Sequence, residues 1–503
     1  MTERKGTEAD PPFLHPDHPR PRTRREFLGQ GFITGAAYVA GPSILSMLGV
    51  NRANAQASCA LTGAGAGKVP FIGIDLGGGA NIAGSNVMVG GPLGQLDPLV
   101  EEGYERLGLP LDMSPLNSQI TAIDTTSTNL AFHFDSALLA GIVDKAGPAT
   151  LAKVEGLIIP SRSSNDTANN PLNPIYGIYS AGADGGLLSL IGSRNSDSGG
   201  RSMAPLSMIQ PAVRPTKIDR PTDVTGLVDT GKLTDLLGGD GAADVAQAIQ
   251  AISSLKVEQI QEDAAVKDLV NCAYQQSSDL ISIFGDPNAI DPLLDTNIVS
   301  ANPADTPVFT AAELGQSEFR KTASVMKLVL EGHAGAGTIE FGGYDYHDST
   351  RTTGESKDFR AGQAIGAIFQ YAEQNPLVGD LMIYLFSDGS VSSDGQIDPA
   401  VGKGIWRGDN SSTACGVLFV YRKSAKPDLV PTYAASRQIG YFRSTGTVET
   451  GANSVANNPE ALAQMVILNY MALHGEEGNF NALFPNSAIQ ADMASLIGFT
   501  QIR

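Results

Sequence analysis

Continuous apolar runs that end in glycine or in small polar residues recur along this chain, with stretches of helical periodicity between them. Val69 to Leu76 runs into Gly77-Gly78-Gly79, and Val154 to Pro160 into Ser161-Arg162-Ser163-Ser164-Asn165-Asp166. Thr338 to Phe341 runs into Gly342-Gly343, and Leu381 to Phe386 into Ser387-Asp388-Gly389-Ser390. Runs this short and this uniformly apolar predict strands covered on both faces. Cys415 to Tyr421 and Ser324 to Leu330 read the same way, and Ile439 to Phe442 is a further candidate. Leu138–Val143, Asn458–Leu473 and Phe359–Glu373 read as helices, the last with Phe359, Ile365, Ile368 and Phe369 as its apolar members. Residues 242–284 turn helical too, with Val245, Ile249, Ile252, Leu255, Ile260, Leu269 and Ile281 recurring near the 3.6 period. Strands alternating with helices predict an α/β fold, a mostly parallel central sheet flanked by helices. Asn169 to Asp229 is rich in Gly, Ser, Pro and Asn and has little periodicity. It predicts a loop-rich insertion near 169–240, an excursion over the surface.

Ahead of the first strand lies an address. Arg24-Arg25 is followed by Phe27-Leu28, then by a moderately apolar stretch from Gly31 to Val50, then by Ala53-Asn54-Ala55-Gln56-Ala57. A basic region, an apolar region and an A-x-A ending are the parts of a cleaved twin-arginine export signal, so residues 1–57 are expected to be removed after Ala57. The glycines and hydroxyls within the apolar stretch argue against a membrane anchor. The expectations are a periplasmic or extracellular protein, the twin-arginine translocase as its transient partner, no membrane insertion after cleavage, and one α/β domain over 58–503. The whole chain carries a net charge of −19. The signal holds seven Lys or Arg and five Asp or Glu, so the remainder carries −21. A surface this acidic argues against nucleic acid and anionic membrane as partners and suits divalent cations. Of three cysteines, Cys415 lies in an apolar strand, and Cys59 with Cys272 is the pairing that export would permit.

In a parallel sheet the functional edge lies beyond the carboxyl ends of the strands. Three loops at such ends carry ligand-type residues: Gly342-Gly343-Tyr344-Asp345-Tyr346-His347-Asp348, Ser387-Asp388-Gly389-Ser390, and Arg407-Gly408-Asp409-Asn410 ahead of the Cys415 strand. Each has an ordinary alternative as a turn or helix-cap residue. Convergence of three such signals on one sheet edge is what marks a site. Ser85, in a glycine-rich loop after the first strand, is the weakest candidate, as a nucleophile with no base identifiable beside it. His133 and His474 read as packed or solvated histidines.

The order of these features, with Gly342-Gly343-Tyr344-Asp345-x-His347, Ser387-Asp388 and Asp409 ahead of Thr413-Ala414, resembles an exported family catalogued as domain of unknown function 1501. That family is similar in fold to the alkaline phosphatase/sulfatase superfamily, whose members hold one or two metal ions at such a sheet edge. The resemblance covers most of the chain after the signal. It implies that Asp345, His347, Asp388 and Asp409 hold metal. The chain departs from the family pattern at Asn410 and Ser164, where the family has histidine, and at Gly389-Ser390-Val391, where an arginine and a threonine are expected.

Those departures leave His347 as the one imidazole near the site, while the other donors are carboxylate oxygens. Such a set suits Ca²⁺, Mg²⁺ or Mn²⁺ better than Zn²⁺. Two functions follow as expectations. One is a non-catalytic relative, a pseudoenzyme serving as an envelope or surface binding and assembly protein, with one divalent cation. The alternative is a metal-dependent hydrolase of phosphate or sulfate esters.

Overall fold

The computed structural model describes residues 67–164, 169–228, 232–259, 264–284 and 289–503. The export signal, Cys59, Asn165 and Asp166 lie outside the described residues. The chain divides into two compact units, one containing residues 230–285 and the other residues 49–229 and 286–503.

In chain order the elements that matter here are β1 (Phe71–Gly77), α1 (Ala137–Lys145), β2 (Val154–Pro160), β3 (Leu188–Gly192) and β4 (Thr216–Lys217). The smaller unit contributes α2 (Lys232–Val257) and α3 (Ala264–Phe284). There follow α4 (Ser317–Leu330), β5 (Ala334–Gly342), α5 (Thr352–Gln374), β6 (Leu381–Ser387), β7 (Val391–Ser392), β8 (Gly408–Asp409), β9 (Cys415–Tyr421) and α6 (Pro459–Ala472).

Seven strands form the central sheet in the order β2-β9-β6-β1-β5-β3-β4. β1 pairs parallel with both β5 and β6, β5 with β3, and β3 with β4. β9 alone runs antiparallel, against both β2 and β6. The sheet is therefore mixed and mostly parallel, an α/β arrangement. The direction of β9 has a consequence for function: it brings the residues that precede it to the edge where β1, β5 and β6 end.

Every residue of β1, β2, β6 and β9 is buried, as strands covered on both faces require. One face packs on α6, with Phe71, Leu157, Tyr384 and Leu418 in a core shared with Met465, Leu468 and Tyr470. Of α6's fourteen residues only Glu460 escapes burial, so this mostly apolar helix lies inside the protein. The opposite face packs on α5, where Phe369 meets Phe419 edge to face at 6.0 Å. α5 in turn is covered by α1, and glycines set that approach. A Cβ on Gly141 would stand 2.0 Å from the Phe359 carbonyl oxygen, and one on Gly362 would stand 2.1 Å from that of Leu138. The two backbones touch because neither glycine has a side chain.

Three expectations need correction. Ser324 to Leu330, read as a strand, is the second half of α4. A short apolar run does not reveal its own period, and here every residue from Thr322 to Leu330 is buried. Gly332, with φ +79°, follows the helix end in the left-handed position that terminates helices, and that is the signal to read. The segment read as a surface excursion also supplies β3 and β4 to the central sheet. Ile439 to Phe442 forms no regular strand; isolated bridges join Gln438 to Ile158 and Phe442 to Val448.

In the smaller unit α2 and α3 pack on one another around Ala242, Ala246 and Ile281. Ala242 and Ala246 are four residues apart and so share one helix face. Cys272 is disulfide-bonded, and Cys415 is a buried free thiol. No helix among the described residues is long and apolar enough to cross a membrane.

Candidate metal centre

The centre begins where β5 ends. Gly343, at φ +77°, turns the chain back toward β1, and the Tyr344 N–H donates to the Gly77 carbonyl at 3.1 Å. From here the side chains alternate. Tyr344 and Tyr346 are buried, whereas Asp345 and His347 face outward. The Tyr344 hydroxyl donates to the Lys357 carbonyl at 2.7 Å. The Tyr346 hydroxyl accepts from the Asn81 N–H at 2.6 Å and lies 3.2 Å from Asp358 Oδ1, to which it donates. Two tyrosines thus fix an extended loop from below, and Asp345 and His347, on either side of Tyr346, are presented to solvent.

His347 Nε2 lies 2.6 Å from Asp345 Oδ1 and 3.3 Å from Asp409 Oδ2. One ligand atom from each of these three residues falls within 4.8 Å of the other two. Asp409 arrives from the far side of the sheet edge. It sits in β8, which pairs antiparallel with β7 so that Asp409 faces Val391. Asn410 then caps the turn into β9, its Oδ1 accepting from the Ser412 N–H at 2.8 Å and from the Ser412 hydroxyl at 2.6 Å. The histidine nitrogen that contacts both carboxylates is the atom a cation would take. A proton shared with those oxygens and a metal bound by all three are therefore competing occupants.

Asp388 stands apart from this triad. It is fully buried; its Oδ1 accepts from the Gly78 N–H at 2.7 Å, and its Oδ2 lies 3.4 Å from Arg201 Nε. Burial raises its pKa, and the Gly78 N–H and the Arg201 guanidinium partly offset that. Asp75, within β1, is held by the backbone N–H groups of Arg201 and Ser202, each at 2.7 Å, and by the Ser202 hydroxyl at 2.9 Å. Burial, and then the neighbouring Asp388 charge, push it up to about 7. Asp348 receives the Thr350 N–H and the hydroxyls of Thr350 and Thr353 in the turn ahead of α5.

Ser85 is also fully buried and lies on a different cluster. Its Oγ accepts from Arg351 Nη2 at 2.6 Å and from Asn81 Nδ2. Arg351 is itself buried, 4.3 Å from the centroid of the Trp406 ring, and bonded to Glu355 at 2.6 Å. His133 is buried against the Met113 carbonyl at 2.9 Å, and burial lowers it to about 4. Ser164, the other position at which the resemblance implies a histidine, follows Ser163, whose N–H donates to the Ser411 carbonyl at 3.1 Å. That places it at the same sheet edge as Asp409.

The structure thus brings together Asp345, His347 and Asp409 of the residues singled out in the sequence, and places Asp388 and Ser85 elsewhere. Arg201 was missed because it lies in the segment read as surface loop. Its signal is again a strand followed by a glycine turn, Leu188–Gly192 and then Gly199-Gly200-Arg201-Ser202. Gly78 joins the two halves of this edge, since a Cβ there would stand 2.5 Å from the Asp345 backbone nitrogen. The chain matches no family model and no curated protein.

Proposed function

We propose that this chain is an exported, alkaline phosphatase-like α/β protein that binds one divalent cation at the carboxyl edge of its sheet and serves as an envelope or surface binding and assembly component. The convergence of Asp345, His347 and Asp409 from two separate loops onto one point carries this reading. Two carboxylates and one imidazole at a solvated edge, where water completes the shell, suit Mn²⁺, Ca²⁺ or Mg²⁺. The surroundings of Ser85 support a non-catalytic role, because a buried hydroxyl held by a guanidinium has no proton acceptor in that partner. Ester hydrolysis by metal-bound water is the second reading. It is favoured by the exposure of the triad, which leaves coordination positions open.

Metal analysis by mass spectrometry tests the proposal, on protein purified without a histidine tag and beside a His347→Ala, Asp409→Ala double variant. The expected result is near-stoichiometric metal in the parent and none in the variant. Absence of metal from the parent, with a melting temperature unchanged by chelator, would overturn it. Metal-dependent hydrolysis of a nitrophenyl phosphate or sulfate, lost in the same variant, would select the second reading.

A further inference from the structure

At the amino edge of the sheet, away from the triad, a lysine amine is closed in with two carboxyls. α4 leads into β5, so its last turn lies at the end of β5 opposite to Asp345. That turn carries Lys327, with Glu331 four residues on and therefore on the same face. Tyr371 and Asn375 stand in the same relation at the end of α5. Asp295 comes from the segment ahead of α4. Lys327 Nζ lies 2.9 Å from Asp295 Oδ2 and 3.0 Å from Glu331 Oε1. These three side chains are only 5 %, 10 % and 7 % exposed, and Tyr371 and Asn375 are buried beside them. The two Asp295 oxygens are not equivalent. Oδ1 accepts from the Asn297 N–H at 2.9 Å, whereas Oδ2 faces the amine and, at 2.8 Å, the Tyr371 hydroxyl. The same hydroxyl reaches Glu331 Oε1 at 2.7 Å. Glu331 also accepts from Asn375 Nδ2 at 2.9 Å and lies 3.3 Å from His333 Nε2.

Burial decides between a lasting ion pair and a reaction. Two ions in a site this dry lose much of their hydration, and moving one proton from amine to carboxyl removes both charges. Tyr371 owns a single proton and cannot donate to Asp295 and Glu331 at once, so one of these contacts needs a protonated carboxyl. Burial works to raise Glu331, but the groups around it outweigh burial and hold it at about 2, so it stays a carboxylate. Asp295 is then the acid, facing a neutral amine. Groups fixed in such contact react as if at an effective concentration of about 10⁵–10⁸ M.

We propose that Lys327 and Asp295 join in an intramolecular isopeptide bond, with Glu331 as the base and Tyr371 as the proton relay. Lys327 Nζ attacks Asp295 Cγ, and the Asn297 N–H meets the charge that develops on Oδ1. The nitrogen gives up two protons. The first already sits on Oδ2; Glu331 takes the second and passes it through the Tyr371 hydroxyl to the same oxygen. The Cγ–Oδ2 bond breaks, water departs, and Glu331 is a carboxylate again. Ammonium and carboxylate become amide and water, so the step balances without an oxidant or a co-reactant. The amide closes a covalent loop over the 32 positions from Asp295 to Lys327 and ties the segment ahead of α4 to that helix. It is independent of the cation reading.

Tryptic peptide mapping by mass spectrometry tests the bond, on the purified protein after denaturation and reduction. Trypsin cuts after Lys and Arg, so an unlinked chain yields separate peptides from residues 268–320, 322–327 and 328–351. The expected result is a branched peptide joining 268–320 to 322–351, lighter by one water and uncut at Lys327. Asp295→Ala and Lys327→Arg should each abolish it. Glu331→Gln keeps the amine and the acid and should lower the linked fraction at least tenfold. The parent's own map decides the main point whether or not these variants fold. Cleavage at Lys327, with each peptide at its full sequence mass, would overturn the proposal. So would loss of water confined to a linear 268–320 peptide, which is a cyclic imide and not a cross-link. Linkage as complete in Glu331→Gln as in the parent would overturn the role given to Glu331.

Discussion

Asp345 and His347 owe their direction to the residue between them. Tyr346 is buried and bonded at both the Asn81 N–H and Asp358, so the loop cannot rotate without breaking a buried contact. Tyr346→Phe removes the hydroxyl and leaves the ring. The expected outcome is a folded protein whose cation affinity falls about tenfold, the usual effect of losing an outer support of a metal ligand, read by calorimetry. Unchanged affinity would make Tyr346 a packing residue only. Asp358 yields a second prediction. Burial pushes it from 3.8 up to about 7, with the nearby Glu355 charge adding to the shift. Between about pH 4 and pH 7 the unfolded chain has released a proton that the folded chain keeps, so rising pH destabilises the fold across that window. Asp358→Asn cannot titrate. Its melting temperature relative to the parent should therefore climb as pH rises from about 4 to about 7 and level off above. Parallel curves across that range would show that Asp358 is not a proton reservoir.

At the scale of elements, the α1–α5 contact is the sharpest test of packing. A methyl group on Gly362 would collide with the Leu138 carbonyl, a backbone atom that cannot move aside unless the helices separate. Gly362→Ala should cost about 3 kcal/mol by urea unfolding, at the upper end for overpacking. Gly226→Ala, at a glycine with open space around it, should be neutral or stabilise by about 0.5 kcal/mol. Equal effects at the two sites would mean that the α1–α5 approach is not set by glycine. The same scale shows what the sequence makes legible. Runs such as Leu381–Phe386 and Cys415–Tyr421 are covered on both faces, so their apolar composition makes their burial legible, and the glycine or polar turns that bound them support reading them as strands. The run in α4 has the same composition and lies in a helix, because burial on all sides erases the period that would tell the two apart. The triad was readable because glycines and acids gather where strands end. Asp388 follows the same local pattern as Asp345, yet it turns inward to the Gly78 N–H and Arg201. Arg201 comes from the loop after β3, a strand three positions away from β6 in the sheet order, and about 190 residues earlier in the chain, and no local pattern carries a partner that distant.

For the whole molecule, a charge of −19 complicates any statement about cations. An acidic surface concentrates divalent ions without holding them anywhere in particular, and this loose atmosphere can mimic a site in dilute buffer. Screening separates the two cases. The Debye length falls from about 10 Å at 0.1 M salt to about 3 Å at 1 M, which removes the diffuse attraction. Ions in direct contact with Asp345, His347 and Asp409 lie within bonding distance of their ligands and are far less affected. Cation binding that is specific to the folded state raises its stability by about 2.7 kcal/mol at one hundred times the dissociation constant. Thermal unfolding in 1 M NaCl should therefore still show a rise with Mn²⁺ or Ca²⁺ in the parent chain and none in the His347→Ala, Asp409→Ala variant. In dilute buffer both proteins should respond, the variant through its surface alone. A rise that disappears from the parent at high salt would mean that the acidity of the surface, and not the meeting of two loops at the sheet edge, is what draws the cation.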